Sequence, residues 1–377
     1  MHYVRPARLA DLDALLQMAQ TARPVLHSLP HERAALEARI ALSEDSFRAE
    51  VDFPGEEFYL FVLADTATDT LLGTASIIAA AGYAEPFYAF RNDALIHASR
   101  ELHVSRKIHA LTMSHELTGM SRLAGFYLAP SLRGDAAAHL LSRARMMYLA
   151  AQRQRFTPEV FTLLLGVTDD AGVSPFWEAV GRKFFGRDFA AIERASSGRS
   201  HRFIAEVMPS YPIYVPLLPE AAQRVLGEPD AGALLAYEIH QEEGFETDRY
   251  VDIFDAGPVL TVPVERSRCA ARNENRRVQW ASGSTDAALA GSTYLVASHA
   301  LDGFRCVLAD LPAAEAAASC ATAHAAHQVA LAAPLAPLTP EVAAALNVEP
   351  GDVVRCVPLH QPRAQSAAAA GFAGDAS

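Results

Sequence analysis

The apolar and polar positions of this chain fall into patterns that predict most of its elements. Tyr3-Val4-Arg5-Pro6 predicts a short strand. Asp11 can cap the helix that follows, in which Leu12, Leu15, Leu16 and Met18 form an i, i+3, i+4 stripe. A second helix is expected over residues 30–41. Residues 57–64 and 71–79 are apolar runs joined by the polar connection 65–70, the pattern of a hairpin. Between residues 81 and 118 the pattern is irregular and predicts no element. Residues 123–128 form a short apolar strand that turns at Ala129-Pro130 into a small-residue loop, 133–138, and a long apolar-striped helix runs on to residue 151.

Further strands are expected over 161–167 and 202–208. Between them, Ser174 can cap a helix with Pro175 in its first turn and Phe176, Trp177 and Val180 facing inward; Gly181 can end it in a left-handed conformation. Residues 211–218, 221–226 and 234–243 predict a strand or turn and two helices. Tyr250 to Pro258 predicts a strand ending in a turn, with Asp252 and Asp255 three apart and therefore on opposite faces, a poor acid/base pair. Beyond Cys269 short β-type segments (294–297, 304–309, 353–357) alternate with alanine-rich stretches, and 338–346 reads as a short capped helix.

Composition narrows the function classes. No apolar run approaches the ~20 residues of a membrane helix, and the N-terminus lacks the apolar core of a secretory signal. A soluble cytoplasmic protein is the expectation. The net charge of −12 argues against a general nucleic-acid or membrane-surface binder but leaves room for a local basic pocket. Cys269, Cys306, Cys320 and Cys356 form no CxxC pair, so reduced thiols are expected and a zinc site is not. His97, His103, His109 and His115 share no metal-binding spacing and read as solvated or hydrogen-bonded side chains.

Chemistry enters at residues 122–151. A strand leading through small residues into a helix presents unpaired N–H groups and a favourable dipole to an anion such as a phosphate. The order strand, helix, helix, two hairpin-linked strands, strand, small-residue loop, helix, strand is that of an acyl-CoA N-acyltransferase core. In such a core the loop holds the coenzyme A pyrophosphate, and a splayed strand, here 125–128, hydrogen-bonds the pantetheine and polarises the thioester carbonyl.

Several segments carry a closer likeness. Tyr59-Leu60-Phe61-Val62-Leu63, Ile96-His97-Ala98-Ser99, Leu117-Thr118-Gly119, Ser174-Pro175-Phe176-Trp177, Met208-Pro209-Ser210-Tyr211-Pro212-Ile213-Tyr214, Glu242-Glu243-Gly244-Phe245 and Tyr250-Val251-Asp252-Ile253-Phe254-Asp255-Ala256-Gly257-Pro258 together resemble the arginine N-succinyltransferase family, from about residue 1 to about residue 360. Glu85-Pro86-Phe87-Tyr88-Ala89-Phe90-Arg91-Asn92 is most similar to the alpha subunits of its two-subunit, arginine/ornithine members. The resemblance implies an α+β fold: an acyl-CoA N-acyltransferase (GNAT-like) mixed sheet flanked by helices, with a small β-rich C-terminal domain, which the short segments beyond Cys269 predict as a partly closed barrel. The divisions expected are a core at 1–205, a segment completing the acceptor site at 206–268, the β-rich domain at 269–360 and a disordered tail at 361–377.

The activity implied is transfer of succinyl from succinyl-CoA to the α-amino group of L-arginine, or of L-ornithine, opening a succinyl route of arginine catabolism. It needs no permanently bound cofactor and no metal. A hetero-oligomer with a homologous beta subunit is implied, and a silent donor-binding partner subunit is the alternative. The donor-contact position maps onto Phe126, with Leu128, Arg133, Gly134, Ala136 and Ala138 completing the donor site. Ala136 and Ala138 stand where the family has glycines, which keeps the N–H donors but restricts φ. The family's proton-donor histidine maps onto Asp230. A carboxylate, with a reference pKa of ~3.9, serves as a base, or as an acid only when strongly desolvated. His240, ten residues on, is expected at the surface. Arg91 is the candidate partner for a substrate carboxylate, and Glu116 and Asp255 are candidates for the basic end of the acceptor.

Overall fold

The computed structural model describes residues 1–22, 29–132, 136–188, 192, 202–281, 292–312 and 334–360. Its frame is a mixed sheet. The strands run β1 (His2–Pro6), β2 (Phe58–Asp65), β3 (Leu71–Ile78), β4 (Ala89–Ser99) and β5 (Val104–Ser114). Next are β6 (Ser121–Leu128), β7 (Glu159–Leu163), β8 (Ile213–Tyr214), β9 (Glu246–Val251) and β10 (Pro258–Pro263). The last five are β11 (Glu274–Trp280), β12 (Ser292–Ser298), β13 (Cys306–Leu311), β14 (Leu335–Leu338) and β15 (Val353–Pro358). Across the sheet they lie in the order β14-β11-β15-β12-β13-β1-β2-β3-β6-β7-β10-β9-β4-β5-β8. The pairs β6–β7 and β11–β14 are parallel and the other pairs antiparallel.

Strand β2 shows why the middle of the sheet reads as an unbroken apolar run. Phe58, Leu60 and Val62 pack on one face with α1 (Leu12–Thr21) and α2 (Arg33–Arg48), while Tyr59, Phe61 and Leu63 pack on the other with α3 (Ala136–Ala151). A strand covered on both faces has no polar side to show. Helix α3 is buried nearly all round, from Ala137 to Leu149. Its two central arginines are therefore buried as well.

Four expectations change. The second helix is longer than predicted and lies later, at Arg33–Arg48. The stretch without a predicted element holds the longest hairpin, β4–β5, paired from Ala89↔Ser114 to Ser99↔Val104. Its residues past Phe90 are mostly half-buried or exposed, so no apolar alternation marks them. Residues expected as a strand at 202–208 form a short helix, Arg202–Val207, because Ile204 and Met208, four apart, are the buried pair. Gly181 does not end its helix in a left-handed turn; it opens the next one, Gly181–Phe185, and Gly186 (φ 62°) takes the left-handed cap. Gly181 is needed for contact instead, since a Cβ there would lie 2.1 Å from the Trp177 ring.

The strands expected as a β-rich appendix do not close a barrel of their own. β13 pairs with β1 (Tyr3↔Val307, Val4↔Cys306), so that the sheet continues from the N-terminal strands into the C-terminal ones. Arg143 of α3 donates to the Leu359 carbonyl, and Arg268 donates to that of Pro358.

Candidate functional site

Strand β6 pairs with β3 along its length, from Ile78↔Arg122 to Gly73↔Leu128. On its other side it pairs with β7 only at Ser121↔Val160, Arg122↔Phe161 and Leu123↔Thr162. From Ala124 onward the two parallel strands part. Gly125, at φ 62°, inserts one extra residue into β6 opposite the Thr74–Ser76 stretch, a bulge that only glycine adopts without strain. The extra residue resets the side-chain alternation. Leu123, Phe126 and Leu128 consequently all pack toward α3. Thr74 Oγ1 donates to the Gly125 carbonyl at 3.1 Å and holds the bulge. Ala124 to Tyr127 are half-buried, lining the gap.

The opposite wall is built by the chain leaving β7. Gly166 bridges to Pro229, and the Asp230 N–H donates to the Leu165 carbonyl at 2.8 Å. This sets Asp230 beside the parted end of β7, where its Oδ1 accepts from the Gly232 N–H (2.8 Å) and caps the turn leading to the helix Leu234–Glu242. Beyond β6 the chain reaches the N-terminus of α3 at Ala136. Ala138 is buried; Arg133 and Gly134 lie outside the described residues.

Asp252 and Asp255 are not held on opposite faces of a strand. β9 ends at Val251, and the turn that follows folds the two buried carboxyls against each other in a side-chain hydrogen bond. Asp252 Oδ1 accepts from the N–H groups of Phe254 (2.7 Å) and Asp255 (3.1 Å). Asp255 accepts from Gly257 on Oδ1 and from Gly166 on Oδ2, each at 2.8 Å. Burial raises both acids, and the Asp252 charge raises Asp255 further, so the pair holds a proton to higher pH than free carboxylates do. Asp255, a candidate for the acceptor, thus has both oxygens engaged by backbone. It anchors the wall of the gap through Gly166.

Arg91 and Glu116 pair with each other. Arg91 also holds Asp93 (2.8 Å), and Glu116 accepts from the Tyr250 hydroxyl and from Arg249 at 3.3 Å. Both stand at the β4–β5 hairpin, with β9 and β10 between that hairpin and β7. A concavity of about 760 Å³ at that hairpin, lined by Asn92, Arg106, Lys107, His109 and Gln223, contains none of the sequence-derived site residues.

His240 is not at the surface. It is 2 % exposed, its Nδ1–H donates to the Ala236 carbonyl at 2.6 Å, and its ring meets Phe245 edge to face at 5.0 Å. Burial, and next the Arg145 charge, push its pKa down to about 3, so it is neutral and Nε2 has no partner. Sequence reasoning passed over Arg145 altogether. The available signal was two arginines, Arg143 and Arg145, inside the apolar run of α3.

Among the described residues no group of three or more His, Cys, Asp or Glu is placed to hold a metal ion, and no helix is long and apolar enough to cross a membrane. Cys269, Cys306 and Cys356 are free and buried; Cys320 lies outside the described residues.

A sequence profile described as "arginine N-succinyltransferase beta subunit" matches residues 2–269. The chain is 42 % identical over 311 residues to the arginine N-succinyltransferase subunit alpha of Pseudomonas aeruginosa, covering 82 % of this chain and 91 % of that one. To the arginine N-succinyltransferase of Yersinia enterocolitica it is 35 % identical over 362 residues, covering 96 % and 99 %. The solved structure of arginine/ornithine succinyltransferase subunit AI from Pseudomonas aeruginosa superposes with a TM-score of 0.81 at 38 % identity, over 96 % of this chain and 99 % of that one.

Proposed function

The chain belongs to the arginine N-succinyltransferase family, and on that premise we propose that it transfers succinyl from succinyl-CoA to the α-amino group of L-arginine, with L-ornithine the alternative acceptor. Its mixed sheet flanked by helices is the acyl-CoA N-acyltransferase arrangement. The observation that carries the reading is the stretch Ala124–Leu128, free of β7 and running toward the start of α3.

In this reading the donor lies along that stretch. Strand N–H groups without a β7 partner hydrogen-bond the pantetheine and meet the oxyanion that forms at the thioester carbon. The diphosphate takes the N–H groups at the start of α3, around Ala136 and Ala138. The acceptor ammonium loses a proton, its nitrogen attacks, the C–N bond forms and the C–S bond breaks. The thiolate then takes the second proton, which the attacking nitrogen sheds as the amide forms. Asp230, at the parted end of β7, is the base for the first of these steps. A homologous second subunit completes the assembly, as the "alpha", "beta" and "AI" in the relatives' names suggest.

The test is direct. Purified protein given succinyl-CoA and L-arginine should release free thiol and form an arginine adduct heavier by one succinyl group. No product with either arginine or ornithine, with the homologous subunit present, overturns the proposal.

A further inference from the structure

Two arginines two residues apart on α3 are buried in very different company. Arg143 is paired with Glu242 and with Glu243 (2.9 Å). Arg145 is 1 % exposed and has no carboxylate partner among the described residues. Among those residues its guanidinium donates only to neutral oxygens: the Ser142 carbonyl (3.2 Å), Ser142 Oγ (3.0 Å) and the Ala124 carbonyl (3.2 Å). Three of its five N–H groups are thereby used. Burial pushes its pKa down to about 9, which still leaves a cation at neutral pH. A buried charge without a counter-ion costs several kcal/mol, and a fold that needed only a spacer here would place an uncharged side chain.

Its location suggests what the charge is for. Ala124 is the first residue past the last β6–β7 pair, Leu123↔Thr162, so the guanidinium sits where the gap closes. From Ala124 to Leu128 the strand rises ~13 Å. From Ala136 to Arg145 the helix rises ~13.5 Å. Strand and helix therefore cover the same span, with phosphate-binding N–H groups at one end and an unpaired cation at the other. Phe126, half-buried on the free stretch, lays its ring over the guanidinium at 5.7 Å. The unpartnered Nε2 of His240 lies close enough to feel the Arg145 charge, so a second buried polar atom beside it also lacks a partner.

We infer that Arg145 is the specificity-determining residue for the acyl donor, its guanidinium pairing with the distal carboxylate of a dicarboxylic acyl group at the closed end of the β6–β7 gap. The inference rests on the acyl-CoA reading above and sharpens it. A guanidinium fork matches a carboxylate in two parallel hydrogen bonds. The Phe126 ring suits the methylene chain between carboxylate and thioester. A monocarboxylic acyl chain ends in a methyl group and leaves the cation unpaired, so the pocket selects by charge as well as by length.

The experiment compares wild type, Arg145→Gln and Arg145→Lys with succinyl-CoA and with butyryl-CoA, whose terminal methyl replaces the carboxylate. Wild type should prefer succinyl-CoA by about 10²-fold or more in kcat/KM. Arg145→Gln should lose most of that preference by losing succinyl-CoA turnover alone, and Arg145→Lys should retain part of it. The unliganded Tm of Arg145→Gln should equal or exceed that of wild type, because an unpaired buried charge has been removed. Succinyl-CoA should raise the Tm of wild type more than butyryl-CoA does, and the difference should vanish in Arg145→Gln. Equal loss with both donors, or an unchanged donor preference in the glutamine variant, overturns the inference. If Arg145→Gln does not fold, Arg145→Lys carries the same comparison. If wild type turns over neither donor, the proposed function fails, and the Tm shifts still decide on Arg145.

Discussion

Asp252 and Asp255 show how far a local turn can move two side chains from where strand spacing puts them. Asp255 satisfies the buried N–H groups of Gly166 and Gly257, which hold the wall of the gap. Asp255→Ala would leave both donors unpaired and is expected to cost about 2–4 kcal/mol, read by chemical denaturation. Asp252→Asn is the informative contrast. Its amide oxygen can keep the Phe254 and Asp255 N–H bonds and its NH2 can donate to Asp255. Folding should stay within about 1 kcal/mol of wild type. Because the folded pair binds a proton that free carboxylates give up, its contribution is full at low pH and declines as pH rises through the raised value. That decline should shrink in Asp252→Asn, where burial still raises Asp255 but the Asp252 charge no longer does.

His240 sets the opposite sign. Its pKa of about 3 lies below the unfolded value of ~6.5, so its unfolded form binds the extra proton. Stability is full above ~6.5 and falls, by a few kcal/mol in all, as pH drops toward 3. His240→Gln should flatten that limb of the acid-unfolding curve. At Asp230, removal of the carboxylate by Asp230→Asn should lower kcat about 10²- to 10⁴-fold with the far-UV spectrum unchanged. Asp230→His should remain active, and full activity in the asparagine variant would remove Asp230 from the mechanism.

At the scale of elements, the sequence showed best what is buried on one helical stripe or inside a strand. The runs at β2 and β3, the cap at Ser174 and the capped helix within 338–346 were plain in it. The β4–β5 hairpin was not, because its pairing relies on backbone hydrogen bonds between half-exposed strands. The short helix at Arg202–Val207 was hidden by an apolar run that suits either period. For the site, the strand and helix of the donor platform were legible, and the expected splay over 125–128 is where β6 leaves β7; the bulge at Gly125 that re-aims Phe126 was not, since it depends on the register with β3. Nor did an arginine in an apolar stripe announce that it would be buried without a counter-ion. Gly125 is the element-scale test. Gly125→Ala places a Cβ on a left-handed residue at a cost of about 1 kcal/mol. Because the bulge also aims Phe126 and Leu128, KM for the acyl donor should rise more than that stability loss alone explains.

At the scale of the whole molecule, the sheet joins the two ends of the chain. Arg143 illustrates the tie, reaching from α3 to Glu242, Glu243 and the Leu359 carbonyl. A chain truncated after residue 268 would leave β1 with an open edge and α3 with exposed apolar surface at β12 and β13. Such a fragment should be insoluble or lack a cooperative thermal transition, whereas an independently stable core would melt as wild type does.

The pairing of Tyr3 with Val307 also bears on how the molecule is made. A ribosome extends a chain from its N-terminus at ~5–20 residues per second, so β1 emerges well before the strand that will cover its edge. For tens of seconds, by that rate, the β1 edge that does not face β2 waits unpaired beside other nascent chains. Strand β1 must stay available for a strand translated about 300 residues later, so chaperone holding or low temperature during expression should raise the yield of folded protein.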